Sequence, residues 1–157
     1  MNLFAISHAI LYINLVRLIL DTTTVVAAIR SDAGASRRLL RAGLEKRLTL
    51  LASVTLMFEY QAVLTRAEHL QASALTLEDI NILLDAIAAV AEPVRLAFLW
   101  RPVARDPDDD MVLEAAVNGR ADAIVTFNLR DFRGAAQRFG IAVLSPGAAL
   151  RRWETEL

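Results

Sequence analysis

Apolar residues follow two rhythms along the chain, short unbroken runs and stretches with helical spacing, and the two alternate from end to end. Val16 to Leu20 (VRLIL) is a strand-like run ended by Asp21, and TTTVVAAIR then has helical spacing, with threonines suited to its first turn. After Gly34, Ala35 to Lys46 reads as a helix with its arginines largely on one side. Leu48 to Ala52 (LTLLA) is a second buried strand, and Ser53 reads as the N-cap of a helix through about Arg66. Thr76 with Asp79 resembles a capping box, opening a helix to about Val90 that Pro93 stops. Arg95 to Trp100 (RLAFLW) is read as the third strand, followed by the polar segment RPVARDPDDD and a helix from about Asp109 to Asn118. Ala123 to Phe127 is the fourth strand, a helix covers about Asp131 to Arg138, Ile141 to Leu144 is the fifth strand, and Ser145-Pro146 opens a last helix. Strands alternating with helices, and nearly continuous apolar strands, predict an α/β fold: a three-layer α/β/α sandwich around a mainly parallel five-stranded sheet.

Residues 1–15 (MNLFAISHAILYINL) are apolar without a leading positive charge, the wrong shape for a secretory signal. His8, Asn14 and Arg17 argue against a membrane span. The segment reads as an extension to a domain over 16–157, either a helix packed on the domain or a partner, or the product of a start upstream of the true one.

Composition narrows the chemistry. The chain has 157 residues, 55% of them hydrophobic, enough for one sizeable core. The absence of cysteine excludes disulfides, a thiol nucleophile, thiolate zinc and iron–sulfur chemistry. A reducing, cytoplasmic location is compatible. With a net charge of −1, the chain lacks the bulk basic character that binds nucleic acid unaided, so any such site is local. Lys46 is the single lysine, which leaves arginine as the phosphate-binding residue.

In an open parallel sheet the ligand site lies beyond the carboxyl ends of the strands, and there carboxylates dominate. Asp21 ends the first strand, Asp106 to Asp110 follow the third with one proline between the acids, and Thr126, Asn128 and Asp131 follow the fourth. Asp21 also reads simply as a helix cap, and DPDDD as a solvated turn. Capping needs only one acid, so the excess is informative. Glu59 falls on the otherwise apolar stripe of Leu56, Tyr60, Val63 and Leu64, where a carboxylate must pair with arginine, snorkel, titrate to neutral or help hold a cation. Oxygen donors without nearby histidine suit Mg²⁺ or Mn²⁺ better than zinc. Two such ions roughly 3.5–4 Å apart can activate water, orient a phosphodiester and stabilise the leaving oxygen. His8 and His69 are isolated, and there is no Gly-rich phosphate loop or nucleophile elbow.

The segments LILDTTTVVAAIRSDAGASRRLL, FEYQAVLTR, WRPVARDPDDDMVLEAAV, ADAIVTFNLRDF and FGIAVLSP, in that order from about Val16 to Ser145, resemble PIN-domain proteins, close to the VapC-like ribonucleases of bacterial toxin–antitoxin pairs. The resemblance implies an endoribonuclease that is a homodimer using Mg²⁺ or Mn²⁺, with RNA as substrate and a cognate antitoxin protein covering the site. Carried over by residue, the acids are Asp21, Glu59, Asp110 and Asp131, with Asp106 and Asp109 as accessory candidates. The fourth position is the less regular one: Asn128 stands where many relatives have an acid. Thr23 stands where asparagine or serine is usual, and Ala27 where serine is common. Thr23, Thr126 and Asn128 are further accessory candidates, and Arg37, Arg38 and Arg130 are candidates for RNA backbone contact, with a solvated arginine face as the plainer reading. Phe127, Phe132 and Trp100 are read as core aromatics.

Two other readings compete. A PIN-like module that binds RNA or antitoxin without turnover is motivated by Thr23, Ala27 and Asn128. A phosphatase of the haloacid dehalogenase type also begins with an aspartate after a strand, but wants a second acid where Thr23 stands and a late lysine that this chain lacks.

Overall fold

The computed structural model describes residues 15–97, 107–155 and 157, with the backbone alone of Pro107 and Asp108. Its strands are β1 (Arg17–Leu20), β2 (Thr49–Ala52), β3 (Glu92–Pro93), β4 (Ala123–Val125) and β5 (Ala142–Leu144). The helices are α1 (Thr22–Arg30) and α2 (Ala35–Leu44) after β1, then α3 (Val54–Leu64), α4 (Ala67–Ser73) and α5 (Leu77–Val90) after β2. Helix α6 (Pro107–Asn118) precedes β4, α7 (Leu129–Gln137) follows it, and α8 (Pro146–Arg152) follows β5. The sheet order is β3-β2-β1-β4-β5 and every pairing is parallel.

Leu18 and Ile19 are adjacent in β1 and therefore point to opposite faces of the sheet. Both are fully buried, which requires a helical layer on each side. The connections supply it. Right-handed crossovers carry the chain from β1 outward to β2 and β3, with helices on one face; the return to β4 and β5 on the other side of β1 puts α6 and α7 on the opposite face. Strand order therefore reverses at β1, and the crevice outside the carboxyl ends of β1 and β4 is the switch point where open α/β sheets bind ligands.

Strand-to-helix junctions are closed by the residue that ends each strand run. Asp21 accepts from Thr22 N, Ser53 from Leu56 N and Ser145 from Ala148 N, each satisfying a backbone donor that a helix start leaves without a partner. Helix α2 lies close on β2 at Gly43, where an added Cβ would come within 2.4 Å of the Leu50 side chain. Only glycine permits that approach.

The third strand is not where the apolar run Arg95 to Trp100 places it. Helix α5 ends at Val90, Ala91 turns extended, and the ladder with β2 begins at once, Glu92 against Leu51 and Pro93 against Ala52. Pro93 is tolerated because β3 is an edge strand, where the missing N–H leaves no ladder bond unmade. An ion pair of Arg17 with Glu92 at 2.8 Å anchors this edge. Ala97 N donates to Arg95 O, which bends the chain away after Val94; residues 98–106 lie outside the described region, as do 1–14. Helix α4 was not expected. It has no fully buried residue, so no apolar periodicity announces it.

Among the described residues, two carboxylates are held below their ordinary range: Glu92 by hydrogen bonding to the Arg17 guanidinium, and Asp79 by the backbone N–H and hydroxyl of Thr76 in the capping box. With folded-state values below the unfolded ones, the stability these contacts give is present above the ordinary carboxylate range and is lost as pH falls through the lowered values. Arg17→Gln is accordingly expected to lose less of its urea midpoint than wild type between about pH 7 and about pH 3. Equal acid-side losses would show that the Arg17–Glu92 pair contributes nothing to the pH dependence.

Candidate active site

At the switch point the last residues of β1 and β4 are joined by one polar network centred on Asp21, which is 5% exposed. Its backbone N–H continues the ladder to Val125 O at 2.9 Å. Its carboxylate accepts from Thr22 N at 2.8 Å on Oδ1, and from the hydroxyls of Thr23 at 2.8 Å and Thr126 at 2.7 Å on Oδ2. A carboxylate offers roughly four lone-pair positions, so these three donors orient it and leave one direction, on Oδ1, for a further partner. Thr24 Oγ1 donates to Val125 O at 2.8 Å, a second tie between α1 and β4.

The network continues into the loop after β4. Thr126 Oγ1 accepts from Asn128 N at 2.9 Å, and Thr23 Oγ1 accepts from Phe127 N at 3.4 Å. Thr23 thus uses its hydroxyl in both directions, holding the acid on one side and the loop on the other. An asparagine or serine at this position is not required for the geometry.

On the other side of Asp21, Tyr60 of α3 donates its hydroxyl to Leu20 O. Burial, reinforced by the nearby Asp21 carboxylate, pushes the phenol far above its ordinary value and keeps it neutral. This contact docks α3 against the end of β1. Glu59, the residue before it, is half-buried at the edge of the stripe formed by Leu56, Tyr60, Val63 and Leu64.

Helix α6 packs on β1, β2 and β4 and against α3. Asp110, in its first turn, is 2% exposed, and Asp109 is half-buried. Asp106 lies outside the described residues. Asp131 is half-buried in the first turn of α7, where its N–H donates to Asn128 O at 3.2 Å; Asn128 itself is exposed.

The structure thus gathers Asp21, Thr23, Thr126 and the Asn128 backbone into one network, and sets Glu59, Asp110 and Asp131 on the helices packed around it. Among the described residues, no group of three or more carboxylate or imidazole side chains converges closely enough to hold a metal ion. The donors are nonetheless oxygens of the hardness that Mg²⁺ or Mn²⁺ prefers, and Asp21 has an oriented open position; in donor chemistry the residues fit such an ion.

The arginine candidates divide. Arg37 Nε donates to Ala28 O in the last turn of α1, and its Nη2 pairs with Asp32 at 3.0 Å, so this side chain closes a helix end. Arg38 faces Glu154 at 3.8 Å. Arg130 is exposed, two residues along the chain from Asn128, and forms no ion pair among the described residues.

Three residues escaped the sequence reading. Glu114, fully buried, lies one turn beyond Asp110, and the i, i+4 spacing of two acids on an apolar helix was the available signal. The Tyr60 hydroxyl had no signal in the sequence, since its acceptor is a backbone carbonyl. Phe127, expected in the core, is 56% exposed: β4 ends at Val125, so the chain has already turned out of the sheet. Phe132 is buried as expected.

A PIN-domain family model matches residues 17–130, which contain Asp21, Glu59, Asp110 and Thr126 and stop one residue short of Asp131. The fold is similar to a crystal structure of VapBC2 from Rickettsia felis bound to a DNA fragment from their promoter, with a TM-score of 0.58, 16% sequence identity, and coverage of 81% of this chain and 96% of that one. A search of curated protein sequences finds no match.

Proposed function

Since the chain belongs to the PIN-domain family, whose members are generally nucleases that use divalent metals, we propose that it is an endoribonuclease and the toxin of a toxin–antitoxin pair. The observation that supports this is the oriented carboxylate of Asp21 at the switch point of the sheet, held by two hydroxyls and a backbone N–H that leave one acceptor direction open. Asp21, Glu59, Asp110 and Asp131 would hold Mg²⁺ or Mn²⁺, with Asp109 and Asp106 as accessory acids. When bound, the cation supplies Lewis-acid chemistry and offsets phosphodiester charge.

The chain's own residues then have distinct tasks. Thr23 and Thr126 fix the direction of the Asp21 carboxylate, so its charge needs no reorganisation when a ligand arrives. Tyr60 keeps α3, and with it Glu59, registered on the end of β1. Arg130 offers a guanidinium to an RNA phosphate beside the acids. Arg37 is better assigned to the end of α1 than to substrate.

The same reading carries partner expectations: a second copy of the chain, and an antitoxin protein that covers the acidic crevice. A cytoplasmic location is part of the same proposal; separately, no helix among the described residues is long and apolar enough to cross a membrane.

Cleavage of single-stranded RNA with Mn²⁺ or Mg²⁺, measured beside Mn²⁺ titration calorimetry on wild type, Glu59→Gln, Asp110→Asn and Asp131→Asn, tests the assignment. Loss of at least about 10²-fold in cleavage together with weakened Mn²⁺ binding is expected for each acid that acts at the centre. Mn²⁺ binding by wild type without cleavage of any RNA would instead favour a PIN-like binding module without turnover. Absence of Mn²⁺ binding would return Asp21 to the role of a helix cap.

A further inference from the structure

Among the described residues, Phe127, next to Thr126 of the Asp21 network, presents a large aromatic side chain to solvent, whereas Tyr60 and Phe132 are buried; the other exposed phenylalanine, Phe58, lies on α3 outside the network's hydrogen bonds. Leaving such a ring in water forgoes the favourable burial of its apolar area. Its backbone is nevertheless anchored. Phe127 N donates to Thr23 Oγ1, while the residues before and after it are tied to Asp21 and to each other through the Thr126 hydroxyl. The ring is therefore presented from a hydrogen-bonded turn one residue away from a ligand of the Asp21 carboxylate. The exposed Asn128 and Arg130 follow it on the chain.

We propose that Phe127 is a nucleobase-stacking subsite, which binds an unpaired base of single-stranded RNA next to the phosphodiester that the acidic centre attacks. The proposal rests on the nuclease reading. A π-face accepts any base, and an aromatic ring fixed beside an acidic crevice, with a guanidinium nearby for the phosphate, is the arrangement by which single strands are held without reading sequence. Base-paired RNA keeps its bases stacked on each other, so the subsite selects single strands over duplexes.

The experiment compares wild type, Phe127→Ala, Phe127→Leu and Phe127→Trp on a short single-stranded RNA and on its duplex. Because the ring is exposed, all variants are expected to keep the thermal midpoint of wild type. Phe127→Ala is expected to raise KM for the single strand about 5–150-fold with kcat little changed, as stacking worth about 1–3 kcal/mol per base would give and as a contact made equally in ground and transition states requires. Phe127→Leu, apolar but without a π-face, is expected to fail to restore KM. Phe127→Trp is expected to restore it, and to show indole quenching on adding the single strand beyond that of wild type, but no quenching with duplex. Wild-type KM in Phe127→Ala, with wild type cleaving normally, would overturn the stacking subsite and leave the nuclease reading intact. Full rescue by Phe127→Leu would also overturn it, making the contact merely apolar. If wild type neither binds nor cleaves the single strand, both readings fall. Unchanged RNA kinetics combined with a lost protein partner would overturn the subsite and make Phe127 a protein contact.

Discussion

Asp21→Asn is expected to lower RNA cleavage by at least about 10²-fold, the scale on which removal of one preorganised electrostatic group acts, and to abolish Mn²⁺ binding measured on the same protein. Asparagine is the informative replacement because of the donors around the acid. Its carbonyl still accepts from Thr22 N as a good N-cap, and its amide faces hydroxyls of Thr23 and Thr126 that have lone pairs to offer. The stability cost should then stay near 1 kcal/mol, the scale of one net hydrogen bond. Asp21→Ala would leave three donors without their acceptor in a buried position and confound folding with function. Retained cleavage in a folded Asp21→Asn protein would place the chemistry elsewhere.

Phe132→Ala should have the largest effect on stability, a loss of about 3–5 kcal/mol in urea unfolding, from a total that for a domain of this kind is about 5–15 kcal/mol. Phe132 is fully buried and is, with Ala136, one of only two buried residues of α7. The rest of the helix is half-buried or exposed, so this ring is its main attachment to the core. Phe132→Leu, which keeps most of the apolar volume, should lose clearly less. A Phe132→Ala loss below about 1 kcal/mol, the range of surface substitutions, would mean that α7 is held by its ends instead. Because α7 carries Asp131 and begins two residues after Phe127, its loosening should also reduce cleavage by more than the unfolded fraction explains.

The contrast between Phe132 and Phe127 shows what was legible in the sequence. Helices with buried stripes, strand runs such as VRLIL, and caps such as Asp21, Ser53 and Thr76 are local, and their chemistry is written in neighbouring residues. The candidate acids stood out through other local signals: Asp21 ends a strand run, Glu59 interrupts an apolar stripe, and DPDDD carries more acid than a cap needs. The third strand was not, because Arg95 to Trp100 has the right composition, whereas β3 is chosen by what fits beside β2, namely Glu92 with its long-range partner Arg17. Five residues separate Phe127 from Phe132, and only the end of β4 at Val125 decides that one leaves the sheet while the other returns to the core. Arg37 looked like a substrate contact because its acceptor, the Ala28 carbonyl, carries no side-chain signal.

The pairing of β1 with β4 also bears on when the molecule becomes competent. The Thr126 hydroxyl reaches Asp21 across 105 positions of sequence, and contacts of such separation form only after a long loop has been closed. As the chain is synthesised from its N-terminus, β1 and β2 emerge and can pair early, but Asp21 lacks Thr126, Phe127 and Asp131 until most of the polypeptide has been made. A nascent chain of this protein therefore carries its first acid without an assembled centre. On the nuclease reading proposed above, the centre would be completed only once nearly all of the chain has left the machine that makes it.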